Sequence, residues 1–256
     1  MWKAWQTGVV AIALCAAAGS VQARDEHLTE TRPIDARVVR VKLDGPVDLK
    51  LRQGDTPSLV ISGERKYVEK TTTTQHGDTL NIDMESHTNF KFGKLNPLRI
   101  ELTLPRLREL RTESLGATEV TGFSGEDIEL ALEGAGSLKV QCNYKTVNAS
   151  LGGLGSLNIS GLNSDAVNLD LQGAGYVTLS GQTKQLKASL GGLGGLDAKS
   201  FYADTVNLDL SGLGNASVHA RQNANLNLSG LGSVTVYGKP QNKHVSVDGL
   251  GKVSWK

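Results

Sequence analysis

The sequence predicts an all-β protein: a single-stranded β-helix, or β-solenoid, with coils of about 19–20 residues, preceded by a more irregular β region. Three observations predict it. Glycines recur in pairs separated by one residue, at Gly134/Gly136, Gly153/Gly155, Gly173/Gly175, Gly192/Gly194, Gly212/Gly214, Gly230/Gly232 and Gly249/Gly251, after a degenerate copy at Ser114/Gly116. Successive copies lie 20, 19, 20, 19, 20, 18 and 19 residues apart. A repeat this short cannot bury an apolar face by itself and has to stack on its neighbours. The arms of each copy alternate apolar and polar, which is the period of a strand. No proline falls between Pro105 and Pro240, as an unbroken ladder of backbone hydrogen bonds requires.

Taken in order, residues 1–23 read as a signal peptide. Lys3 supplies a positive start, residues 8–18 a short apolar run, and Val21-Gln22-Ala23 the small residues of a cleavage site. The run is too short to span a membrane. Residues 24–36 are polar and read as a flexible leader. Residues 37–113 form the irregular β region, with alternation in Val39–Leu43, Val47–Leu51, Leu59–Ile61, Leu80–Met84 and Leu98–Leu104. Residues 114–256 form the regular solenoid, in which 23 of the 30 glycines lie.

Within a coil, positions 130, 132, 138 and 140 are apolar and share a parity with Gly134 and Gly136. The residue between the glycines is also apolar in every copy: Leu115, Ala135, Leu154, Ala174, Leu193, Leu213, Leu231 and Leu250. A flat strand would point it outward. The expectation is that the glycines bend the chain and turn this corner residue inward. A second period lies over the first: VNLDL occurs at 167–171 and 206–210, and ASLGGLG at 149–155 and 188–194, each pair 39 residues apart. Coils therefore alternate between two kinds. Trp255, on the last alternating strand, is a candidate cover for the C-terminal end.

Composition excludes several functions. Without residues 1–23 the chain carries 26 basic and 26 acidic side chains, so no nucleic-acid partner is expected, because phosphates select a basic face. The exported chain has one cysteine, Cys142, and can form no internal disulfide. Its parity matches Leu138 and Val140, so it reads as buried and inert. GGLGGLDAK (191–199) and GGLGSLNIS (152–160) approach the calcium-binding nonapeptide, but Leu196 and Leu157 occupy the slot where calcium needs a carboxylate. The five histidines show no ligand spacing, and the glycines join strand to strand rather than strand to helix. No metal, cofactor or catalytic residue is expected.

Two segments are candidate binding elements. The outward ladder of Asn148, Ser150, Asn168, Asp170, Asn207, Asp209 and Asn227 offers a flat polar face. The segment SHTNFKFGKLNP (86–97) interleaves Phe90 and Phe92 with Lys91 and Lys94, a loop chemistry suited to a glycan, a headgroup or a protein. A competing enzymatic reading uses Asp170 and Asp209, two coils or about 9.6 Å apart, near the spacing of an inverting glycosidase pair.

The order VVRVKLDGPVDLKLRQGD (38–55), SLVISGE (58–64), GDTLNIDM (77–84), LRIELTLPRLRELRTESLGATEVTG (98–122), then glycine-paired coils, resembles the GIN-domain family of exported bacterial proteins, described as auto-transporter adhesin heads. The resemblance covers essentially the whole exported chain and rests on structural motifs. It implies a β-helical fold and binding at the cell envelope. No membrane barrel of an auto-transporter is expected in this chain. The expected function is a non-enzymatic exported binding or structural module, in the periplasm, at the cell surface or secreted. Its candidate partners are a glycan, an envelope or extracellular protein, or further copies of itself. The alternatives are the polysaccharide-active enzyme and a periplasmic scaffold or accessory protein.

Overall fold

The computed structural model describes residues 27–84 and 98–256. Residues 1–23, read from sequence as a signal peptide, and the candidate binding segment with Phe90, Lys91, Phe92 and Lys94 lie outside the described residues. The chain is a β-solenoid of about seven turns with an irregular β region at its N-terminal part. In chain order the elements are β1 (His27–Arg32), β2 (Arg40–Gly45), β3 (Val47–Gln53), β4 (Ser58–Glu64), a single helical turn α1 (Arg65–Val68), β5 (Thr71–His76), β6 (Thr79–Met84), β7 (Leu98–Leu104) and β8 (Glu109–Ser114). Six long, bent strands follow: β9 (Ala117–Leu132), β10 (Ser137–Leu151), β11 (Ser156–Gly173), β12 (Tyr176–Gly192), β13 (Gly195–Gly212) and β14 (Asn215–Gly230). The last are β15 (Ser233–Tyr237), β16 (Asn242–Gly249) and β17 (Lys252–Trp255).

From β9 to β14 each strand pairs in parallel with the next, one coil on. The stack continues backwards into the irregular region. β2 lies between β8 and β6, and β3 between β9 and β7, all parallel. The first half of the chain thus slots into the ladder out of sequence order. Beyond it the pairing turns antiparallel, with β4 on β7, β5 on β6 and β1 on β4.

The expected flexible leader is corrected by β1. Leu28 packs against the core, and the Arg32 guanidinium donates to the carbonyls of Thr71 at 2.6 Å and Val68 at 3.1 Å. Alternation in HLTETR satisfies the open edge of β4, and Arg32 ties that edge to the start of β5. Charged, antiparallel strands of this kind close the N-terminal end of the stack.

The corner expectation is also corrected. Leu115, Leu154, Leu193, Leu213, Leu231 and Leu250 are between 53% and 83% exposed, and Ala135 and Ala174 are exposed as well. The chain does not invert its parity at the bend. Leu151 is buried, Leu154 faces out, Gly155 is buried and Leu157 is buried again. The paired glycines hold the inward positions on either side of the leucine. A side chain there has no room: a Cβ on Gly153 would strike the Gly134 carbonyl, and one on Gly175 would meet Leu151 Cδ2 at 2.5 Å. The inner volume of the corner is already filled by the coil below. Amide groups of the corner donate to carbonyls one coil away, as in Gly195 N–H to Gly175 O at 3.0 Å and Leu193 N–H to Gly173 O at 2.9 Å.

One core runs the length of the stack, from Val38 to Val236, with Phe123, Phe201 and Tyr144 among its aromatic side chains. A second corner falls near Gly122, Gly161 and Gly181, where φ is positive at 88°, 77° and 124° and the registers shift. On the outer surface beyond it, Glu126, Lys145, Asp165, Lys184, Asp204 and Arg221 alternate in sign from coil to coil. Lys145 reaches Glu126 at 2.8 Å, Lys184 reaches Asp165 at 2.6 Å and Arg221 reaches Asp204 at 3.6 Å.

At the other end, β16 pairs with β14 and β17 with β15, with no further strand beyond them among the described residues. Val245 and Val247 are each 44% exposed. Trp255 lies in register over the fully buried Val236. Its ring is partly exposed, with Lys243 Nζ 4.6 Å from the ring centroid.

Candidate functional site

Strict parity fixes the outward rows. Register aligns Asn148, Asn168, Lys187, Asn207, Asn225 and His244 in one row. Ser150, Asp170, Ser189, Asp209, Asn227 and Ser246 form the row beside it. All seven sequence-predicted face residues fall in these two rows. Neighbouring amides bond along the stack: Asn168 Nδ2 donates to Asn148 Oδ1 at 2.8 Å, and Asn225 Nδ2 to Asn207 Oδ1 at 2.7 Å. Such bonds use one donor and one acceptor of each linked pair. The remaining amide groups stay free for a ligand.

The face carries a hollow near the C-terminal end. There a shallow concavity of about 610 Å³ is lined by Asn207, Asp209, Asn225, Asn227, Lys243, His244 and Ser246. Three of these were expected from sequence. Asn225 was legible, because the coil between Gly212 and Gly230 is 18 residues long and places it on Asn207. Lys243, His244 and Ser246 were legible in the same way, because Gly249 follows Gly230 by 19 residues, which places His244 on Asn225 and Ser246 on Asn227.

Asp170 and Asp209 are separated by Ser189 in the register, as expected from the repeat. They do not share a cleft. Asp209 lines the concavity and Asp170 does not. Asp170 instead accepts a bond from Gln172 Nε2 at 2.8 Å on its own strand.

Other reactive groups lie in the core. Cys142 is buried, and loss of solvent pushes its thiol up to about 12 from an ordinary 9.0. Burial also raises the Tyr144 phenol, reinforced by the nearby Cys142 and Asp127. Tyr144 donates to the Leu107 carbonyl at 2.6 Å. Among the described residues no three His, Cys, Asp or Glu side chains converge as metal ligands do. Among them, too, no helix is long and apolar enough to cross a membrane.

The fold has solved counterparts. An adhesin described as putative from Bacteroides fragilis superposes with a TM-score of 0.68 at 18% identity, covering 91% of this chain and 98% of that one. A putative lipid binding protein from Parabacteroides distasonis gives 0.81 at 19% identity over 90% and 96%. A putative adhesin from Parabacteroides merdae gives 0.79 at 19% over 90% and 96%. At these identities the likeness is one of fold. A comparison with curated proteins gives no match. A family model described as "Putative auto-transporter adhesin, head GIN domain" matches residues 39–240. With most of the chain covered by that model, the protein belongs to the GIN-domain family.

Proposed function

We propose that this protein is an exported, non-enzymatic binding module of the bacterial envelope that holds a glycan along its outward amide ladder. The observation that carries the reading is the concavity where the ladder meets the last coil. It gathers three asparagines, Asp209, Lys243, His244 and Ser246 on one open surface. Amides and carboxylates offer donors and acceptors in pairs, which suits vicinal hydroxyls, and their repeat of about 4.8 Å per coil suits a linear polymer. Family membership supports a role in adhesion. The signal-peptide reading of residues 1–23 supports export, as does that family description.

The arrangement favours holding over cleaving. Hydrolysis needs two carboxylates flanking one scissile bond, whereas Asp170 lies outside the concavity that contains Asp209.

The test is a glycan panel read by calorimetry on the chain from residue 24, with reducing-end release followed in the same samples. Binding without release is expected for at least one polysaccharide, weakened tenfold or more in the double variant N207A/D209A. No binding across the panel, or equal binding by the variant, refutes the reading. Release that disappears in D170N/D209N would establish the enzymatic alternative. Protease shaving of intact cells then separates a surface adhesin, which is degraded, from a periplasmic module, which is protected.

A further inference from the structure

The six exposed leucines form one line. Backbone register sets Gly173 against Gly192, Gly192 against Gly212 and Gly230 against Gly249, so the corner residues stack directly over one another. Eight positions, six Leu and two Ala, make an apolar ridge that spans roughly 34 Å at about 4.8 Å per step. Monomeric surfaces scatter single apolar side chains, and a contiguous row of them marks an interaction site.

The core does not account for the leucines. They turn away from it, and the glycines beside them already fill the corner. A polar residue would sit at these positions with no loss of packing.

The surroundings select the partner. From residue 152 to residue 233 the outward residues flanking the ridge are Gly, Ser, Gln, Asn and Tyr176, and none carries a charge. Charges flank the ridge at its two ends, with Glu113 beside Leu115, Glu133 beside Ala135, and Asp248 and Lys252 beside Leu250; along the uncharged middle the nearest acidic row, with Asp170 and Asp209, lies two outward positions before the corner. An anionic surface would be repelled by these carboxylates, and a basic partner would find none beside the middle of the ridge. Tyr176 is 52% exposed beside the ridge, with the apolar body and polar tip that suit a membrane–water boundary. A second copy fits less well. At roughly 100 Å² of apolar surface per leucine, the exposed part of the ridge comes to about 400 Å², so the rest of the ~800 Å² of total surface each partner contributes to a stable interface would have to come from the polar rows beside it. A bilayer needs no matching register and can receive a narrow, straight edge.

We infer that the leucine ridge is a lipid-facing edge that lies along the headgroup–acyl boundary of an uncharged bilayer. The solenoid would then rest on its corner, with its polar faces rising from the surface on either side.

The chain from residue 24 contains every described residue and lacks the apolar run at 8–18. Its binding to phosphatidylcholine vesicles is measured by co-sedimentation, with light scattering on the same preparation. The wild type is expected to partition onto these vesicles, no better when phosphatidylglycerol is added and independently of salt. L154S/L193S/L213S/L231S should lose at least tenfold in partition, and the milder L193A/L213A should fall between, with unchanged circular dichroism. Ala135 and Ala174 already occupy equivalent positions, so the milder variant keeps the fold. N207A/D209A should bind vesicles like the wild type, which separates this edge from the glycan face. Absence of wild-type binding overturns the inference, as does equal binding by the leucine variants. So does a wild-type dimer that becomes monomeric in the serine variant without any vesicle binding, which would make the ridge a self-association surface.

Discussion

Replacing Gly153 by alanine adds one methyl group to the inner side of a corner, while the same change at Gly152 adds it to the outside. The two glycines are neighbours, which makes them a matched pair. At Gly153 the new Cβ would strike the Gly134 carbonyl oxygen and lie 2.9 Å from its carbon and 3.1 Å from Glu133 O. These are backbone atoms and cannot rotate aside. To make room the coil must lift, which strains the bonds from Gly152 N–H to Leu132 O at 2.9 Å and from Ala174 N–H to Gly153 O at 3.3 Å. Losing two bonds at about 1 kcal/mol each, with overpacking of about 1–3 kcal/mol, gives a destabilisation of roughly 3–5 kcal/mol. At Gly152 the nearest atom is Glu133 Cγ at 3.9 Å, an ordinary contact. There alanine restricts the unfolded chain and should leave stability unchanged or raise it by about 0.4–1 kcal/mol. Urea unfolding followed by far-ultraviolet circular dichroism, compared through midpoint and slope, measures both. If Gly153→Ala unfolds within ~0.5 kcal/mol of wild type, or if the two variants are equally damaged, the carbonyl-packed corner is not what dictates glycine.

Two further predictions concern the core. Tyr144→Phe removes the donor to the Leu107 carbonyl and should cost about 1–3 kcal/mol, seen as a lower Tm with an unchanged β spectrum. An unshifted Tm would mean that water replaces the phenol at that carbonyl. Cys142 should resist a disulfide reagent at pH 8 until the chain is unfolded, since its thiol keeps its proton up to about 12. Because the folded value lies above the ordinary 9.0, the unfolded state releases the proton first. The contribution is therefore complete below pH 9 and lost as pH rises toward 12, approaching about 4 kcal/mol. Cys142→Ala should flatten that alkaline slope, and a slope equal to wild type would assign it to other groups such as Tyr144.

Most of the solenoid was legible because its signals are local and repeated. The glycine spacing sets the coil length, and alternation in VNLDL and ASLGGLG sets which residues face out, so all seven ladder positions fall where parity put them. The leucine corner was misread for a specific reason. Its apolar character suggested burial, but the coil below already fills the inner space with carbonyls and leucine methyls, a collision visible only in three dimensions. The leader was misread because HLTETR is too polar to announce a strand, and it becomes one only by pairing with the edge of β4. The insertion of β2 and β3 between β8–β9 and β6–β7 was hidden as well, since parallel neighbours that are distant in sequence leave no local mark. The concavity depends on Lys243, His244 and Ser246, whose register was legible from the 19-residue step between Gly230 and Gly249, but a hollow in the surface leaves no mark in a repeat.

The charged row on the outer surface restricts how this molecule can change in length over generations. Glu126, Lys145, Asp165, Lys184, Asp204 and Arg221 alternate in sign, so loss or gain of a single coil inside the row would set two like charges side by side, which is unfavourable between adjacent strands. Removing or adding two coils preserves every opposite neighbour. That unit is the same 39-residue block in which VNLDL and ASLGGLG recur. A viable shorter or longer relative should thus differ by pairs of coils, and its polar face and leucine edge would lengthen together in steps of about 9.6 Å.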